Sequence, residues 1–116
     1  MDEKELKQRT KRFAIDTVAL VSELPRSLSG QVMGRQLLRA GTSVGANYRA
    51  ACRARSKPDM ASKMSIVEEE ADESAYWLEI IAETGLLPIE RVGHLHKEAN
   101  EIVAIMVASL RTIRGQ

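Results

Sequence analysis

The sequence predicts an all-α protein, an antiparallel up-down-up-down four-helix bundle, and three observations carry that expectation. Apolar residues recur at alternating threes and fours through four successive segments, so each has one helical side for a core. Only four aromatics occur in 116 residues (Phe13, Tyr48, Tyr76 and Trp77), while Ala, Leu, Ile, Val, Met, Glu and Arg dominate, a balance that favours helices over strands. The segments are joined by a few residues each, and neighbours tethered that tightly are forced to run antiparallel, crossing near ~20°.

The first segment, about 3–24, places Leu6, Thr10, Phe13, Thr17, Leu20 and Leu24 on one stripe, widened by Ala14 and Val21, and Pro25 follows it as a stop. The second, about 28–54, puts Leu37, Gly41, Val44, Tyr48 and Ala51 on its packing side. Arg35, Arg39, Arg49 and Arg53 project roughly opposite, and Arg55 lies just beyond. Gly41 and Gly45 are a small-xxx-small step in this helix. Each costs about 1 kcal/mol relative to Ala, so close approach of a neighbouring helix is expected in return.

The third segment opens at Ser56-Lys-Pro-Asp59, where a hydroxyl can accept an orphan backbone N–H, proline suits the first turn and an acid complements the helix dipole. Its stripe is Met60, Met64, Val67, Ala71, Ser74, Leu78 and Ile81, and Gly85 is expected as a left-handed C-terminal cap. The fourth, about 88–114, begins after Pro88 and carries Val92, Leu95, Ala99, Ile102, Met106, Leu110 and Ile113. One domain, 1–116, accounts for the whole chain: 44% apolar content suffices for a single core at this length without disulfides or metals.

Charge is segregated although the net charge is only +1. From Pro25 to Lys57 there are seven basic residues and no acid; from Pro58 to Gly85 there are eight acids against Lys63 alone. A near-neutral chain lacks the overall basicity that drives non-specific nucleic-acid binding, so any such contact must come from a local patch. The candidate patch is Arg35, Arg39, Arg49, Arg53 and Arg55, because guanidinium groups fit phosphate oxygens and several on one helix side can follow a backbone. The competing reading has these arginines solvated, or paired with the acidic third segment.

Ile66, Tyr76, Trp77 and Ile80 fall away from the third helix's core stripe, on the side shared with Glu69, Glu70 and Glu73. A cluster holding both Tyr and Trp has the composition of an interface centre, so these four are the expected contact with another copy of the chain.

Enzymatic readings find little support. A diiron bundle needs Glu-x-x-His on two helices, but Arg91 and Gly93 stand three residues before His94 and His96. The glycines lack the lysine and preceding strand of a phosphate-cradling loop. Glu68, Glu69, Glu70 and Glu73 spread around their helix instead of converging on a metal. Cys52 has no histidine near it in sequence and reads as a small core residue. No catalytic residue, metal or cofactor is assigned. A lone cysteine, a charged N-terminus and apolar runs far below ~20 residues point to a soluble cytoplasmic protein with no membrane contact.

The stretch Gln36-Leu-Leu-Arg-Ala-Gly-Thr-Ser-Val-Gly-Ala-Asn-Tyr-Arg-Ala50, followed by Arg53-Ala-Arg-Ser56, Glu70-Ala71, Tyr76-Trp77-Leu78-Glu79 and Gly85-Leu86, resembles the 23S rRNA intervening-sequence protein family of bacterial four-helix-bundle proteins. The resemblance covers nearly the whole chain. It implies assembly into a homopentameric ring, and it matches Arg39, Arg49, Arg53 and Arg55 to basic positions of the family. Some members are encoded within insertions in large-subunit rRNA genes. Related accessory variability determinants partner a reverse transcriptase and nucleic acid in diversity-generating retroelements, and this chain departs from them in being nearly neutral. The function expected is therefore a non-enzymatic homo-oligomeric binding module, with RNA or a reverse-transcriptase-like protein as partner. The alternative is a protein adaptor or scaffold that binds no nucleic acid.

Overall fold

A computed structural model describes residues 1–115, in which four α-helices and short connections account for the chain. They are α1 (Glu3–Val21), α2 (Leu28–Cys52), α3 (Lys57–Glu83) and α4 (Ile89–Ile113). Each helix starts where its local chemistry permits. The Asp2 carboxylate accepts from the Glu5 N–H at 2.8 Å, the Ser27 hydroxyl from Gly30 at 3.1 Å and the Ser56 hydroxyl from Asp59 at 3.2 Å. Pro58 sits in the first turn of α3, and α4 starts after Pro88 with no side-chain cap.

The helix ends differ modestly from the sequence expectation. α1 stops at Val21, where backbone bonds from Glu23 to Leu20 and from Leu24 to Val21 tighten the chain before Pro25; Leu24 still packs on the core from the turn. α3 ends as expected at Gly85, whose φ of +73° lets the Leu86 N–H reach the Ile81 carbonyl at 3.0 Å.

The helices form a four-helix bundle of 45 × 20 × 19 Å, about the length of a 25-residue helix plus its caps. α1 packs on α2, α2 on α3 and α3 on α4, each along its length, while α1 and α4 meet only along a thin seam. One core runs through the bundle, with Phe13, Leu20, Leu37, Val44, Val67, Leu78, Ile81, Ile102 and Met106 almost wholly withdrawn from solvent. Burial of each such side chain is worth about 1.5–3 kcal/mol against exposure. Met60, expected in the core, is half-buried against it.

Side chains bridge the thin seam. Arg9 of α1 grips Glu98 of α4 through two bonds of 2.7 Å and reaches Glu101 at 3.0 Å, and Arg91 pairs with Glu23 at the other end. The α1–α2 seam is closer. A Cβ on Gly41 would stand 2.7 Å from Thr17 Oγ1 and Cγ2, and one on Gly45 would stand 3.1 Å from the Thr10 carbonyl oxygen. The Thr17 side chain fills the notch at Gly41, and the Thr10–Lys11 backbone lies over Gly45; the buried Thr10 and Thr17 hydroxyls donate to the carbonyls of Leu6 and Phe13 at 2.9 and 2.8 Å. The expected close approach thus has a definite partner, α1. No helix among the described residues is long and apolar enough to cross a membrane.

Candidate nucleic-acid interface

The five arginines marked in the sequence do not act as one stripe. Arg35 is exposed near the start of α2, and Arg53 lies eighteen residues further on, at its C-terminal cap. That separation is about 27 Å along the helix axis. Arg55 is exposed in the turn before α3. Arg39 is engaged with acids: it contacts Glu70 of α3 at 3.0 Å and also pairs with Glu73. Glu73 in turn accepts from the Trp77 indole N–H at 2.9 Å. That indole bond, with the Arg39 guanidinium beside it, holds the Glu73 carboxyl below the usual carboxylate range. Arg39 is therefore a structural tie between α2 and α3 in this conformation.

Arg49 and Arg53 have a different setting. They flank an open cleft of about 450 Å³ between α1 and α2, and Lys7 and Lys11 of α1 flank its other side. Ala14, Thr42, Gly45 and Ala46 line it between the cations. Lys7 makes an exposed ion pair with Glu3 at 3.3 Å. Lys11, Arg49 and Arg53 make no ion pair among the described residues. Four cations lining one trough form an anion-attracting surface.

Sequence reasoning missed Lys7 and Lys11. Their spacing, four residues apart, places them on one side of α1, and Gly41 and Gly45 foretell a close neighbour for α2. Nothing local says that the neighbour is α1, nor which of its turns lies against Arg49.

The expected subunit-contact residues are divided as well. Tyr76 is 54% exposed, and its ring meets Trp77 edge to face at 5.1 Å between centroids. Trp77 is half-buried and packs on the core, so it is less free than its position on the helix implied. Ile80 is half-buried, and Ile66 lines an open groove between the start of α3 and the end of α4. Other exposed apolar side chains lie on α1 and α2, at Ile15 (49%), Val18 (51%), Leu28 (80%) and Val32 (44%), none of which the sequence reading singled out.

No cluster of three metal-ligating side chains occurs among the described residues. His96 Nε2 lies 2.9 Å from Glu79 Oε2, a partly exposed pair between α3 and α4. Cys52 is half-buried, and burial pushes its thiol pKa up, away from the reactive thiolate.

Comparison with known proteins gives a family and a fold relative. The sequence model of the 23S rRNA-intervening sequence protein family matches residues 2–108. Among solved structures, a crystal structure of a protein of unknown function from the S23 ribosomal protein family of Bacteroides thetaiotaomicron is similar over 90% of this chain and 97% of its own, with 33% identity and a TM-score of 0.85. The search of curated proteins found no match.

Proposed function

The chain belongs to the 23S rRNA-intervening sequence protein family, and from that premise we propose that it is a non-enzymatic, homo-oligomeric module that binds RNA. The observation that carries this reading is the α1–α2 cleft, where Lys7, Lys11, Arg49 and Arg53 converge with only Glu3 paired among them. Arg35 and Arg55 extend the basic surface at either end of α2. An enzyme acting on nucleic acid, of the reverse-transcriptase kind, is a second partner such a surface can serve by holding the shared RNA. Assembly into a pentameric ring is supported by the exposed ring of Tyr76 with half-buried Trp77 and Ile80 near it on α3, and by Ile66 on the groove at the start of that helix. A ring repeats one modest cleft several times, and linked sites raise avidity without any new contact.

The engagement of Arg39 by Glu70 and Glu73 favours a second reading, a protein-facing adaptor whose arginines serve packing. Salt separates the two. Four phosphate contacts per chain predict that RNA affinity falls about 50- to 150-fold between 50 and 200 mM salt. The double variant Arg49→Ala/Arg53→Ala should halve the log–log slope. Light scattering of the protein with structured RNA at those two salt concentrations reports assembly and binding together. Affinity indifferent both to salt and to the substitutions rejects RNA in favour of the adaptor, and a lone 116-residue particle rejects the ring.

A further inference from the structure

We propose that the chain meets a second copy of itself through two unlike surfaces, the outward face of the first half of α2 docking along the outward face of α3 in the next copy. The inference rests on the homo-oligomeric part of the reading above and names the surfaces that join.

Both helices carry a second stripe. On α2, Leu28, Val32, Arg35 and Arg39 recur at steps of four and three, and all are exposed. On α3, Glu69, Glu73, Tyr76 and Ile80 recur in the same way, exposed or half-buried. Val32 stands nine residues before the buried Gly41, and Ile80 nine after the buried Ala71, which is half a turn round the helix in each case. Each stripe therefore points away from its own core. Steps of three and four are the spacing by which one helix seats along another, and Leu28, Val32 and Tyr76 offer apolar surface that the chain itself leaves uncovered.

The stripes differ in sign, and that selects the occupant. α2 holds no acid, and Arg35 makes no ion pair among the described residues. On α3, Glu69, Asp72 and Glu83 border Tyr76 and Ile80, exposed and likewise without an ion pair among the described residues. Like charge disfavours either stripe against its own counterpart, and unlike charge favours the cross pairing.

Their heights agree as well. α2 and α3 run antiparallel from the short turn between Cys52 and Lys57. Counted back along α2, Val32 lies about 30 Å and Leu28 about 36 Å from that turn; counted forward along α3, Tyr76 lies about 29 Å and Ile80 about 35 Å from it. Copies standing side by side with parallel axes thus bring Val32 level with Tyr76 and Leu28 level with Ile80. Arg35 then falls between the Tyr76 ring and Asp72, either of which attracts a guanidinium. α2 and α3 are neighbouring corners of the bundle, so their outward faces diverge by about 90°, near the ~108° that five copies round one axis require, whereas a two-fold pairing needs both to face the same way. Arg49 stands fourteen residues past Arg35, about 21 Å along α2, which places the cationic cleft at the other end of the helix from this contact.

The test is size-exclusion chromatography with light scattering, at high protein concentration, on the full chain and two variants. Val32→Glu/Arg35→Glu spoils the α2 face and leaves the α3 face intact; Tyr76→Lys does the reverse. All three residues are exposed, and circular-dichroism melts verify that both variants fold. The expected result is an oligomeric wild type and each variant alone at the mass of one subunit, 12.9 kDa. An equimolar mixture of the two should run at twice that mass, because one intact α2 face meets one intact α3 face and neither chain can extend further. A mixture that stays monomeric, or either variant assembling as the wild type does, overturns the pairing while leaving assembly through another surface standing. A monomeric wild type overturns the homo-oligomeric reading together with it.

Discussion

Gly41→Ala should destabilise this protein although alanine is the better helix former, and the structure supplies the size of the effect. The added methyl group would stand 2.7 Å from both Thr17 Oγ1 and Thr17 Cγ2, and Thr17 is wholly buried. Helix propensity favours the change by about 1 kcal/mol. Overpacking a filled seam costs about 1–3 kcal/mol. Turning Thr17 aside also loses its 2.8 Å bond to the Phe13 carbonyl, worth about 1 kcal/mol. The net loss is roughly 1–3 kcal/mol. Gly93→Ala is the control, because that glycine is exposed inside α4 and nothing lies within 4 Å of where its Cβ would be. The same chemical change there should stabilise by up to about 1 kcal/mol. Urea unfolding followed by circular dichroism, at one fixed protein concentration, reads both variants. Thr17→Ala placed in the Gly41→Ala background removes both clashing atoms and should couple positively by about 1 kcal/mol or more. If Gly41→Ala proves as stabilising as Gly93→Ala, close approach of α1 is not what the glycine serves.

Three further outcomes are expected. Arg9 is the first cause of the lowered pKa of Glu98, so that carboxylate contributes stability above its unfolded pKa of about 4.3, and the contribution is lost as pH falls through the lower folded value. Glu98→Gln should accordingly flatten acid unfolding below about pH 4.5 and cost about 1–2 kcal/mol at pH 7, measured as urea midpoints against pH; a variant whose acid limb matches wild type would contradict the seam's dependence on this pair. Arg39→Ala should alter Trp77 fluorescence, because Glu73 links the two side chains, while costing under about 1 kcal/mol and weakening RNA binding less than Arg49→Ala does. Cys52 should react with a thiol-directed disulfide reagent at pH 7.5 more slowly than a free cysteine and recover the free rate in denaturant, since burial disfavours its thiolate; equal rates in folded and unfolded protein would show that the thiol is not shielded.

What could be read from the sequence was what is local. The threes and fours of Phe13, Thr17 and Leu20, or of Val67, Ala71 and Leu78, specify a helical face by geometry alone. Ser27, Ser56 and Gly85 mark helix ends because their hydroxyls or positive φ act within a few residues. Tertiary structure decided everything that depends on register between helices. It tied Arg39 to Glu70 and Glu73, packed Trp77 against the core, and set Lys7 and Lys11 across from Arg49 and Arg53. The physical reason is that a helix repeats every 3.6 residues and so reveals its own faces, while its axial offset against a neighbour is set by which side chains interlock. Here that offset is chosen by the Thr17 side chain entering the notch at Gly41 and the Thr10 backbone lying over Gly45, 24 and 35 residues away in the chain, a distance no local pattern spans.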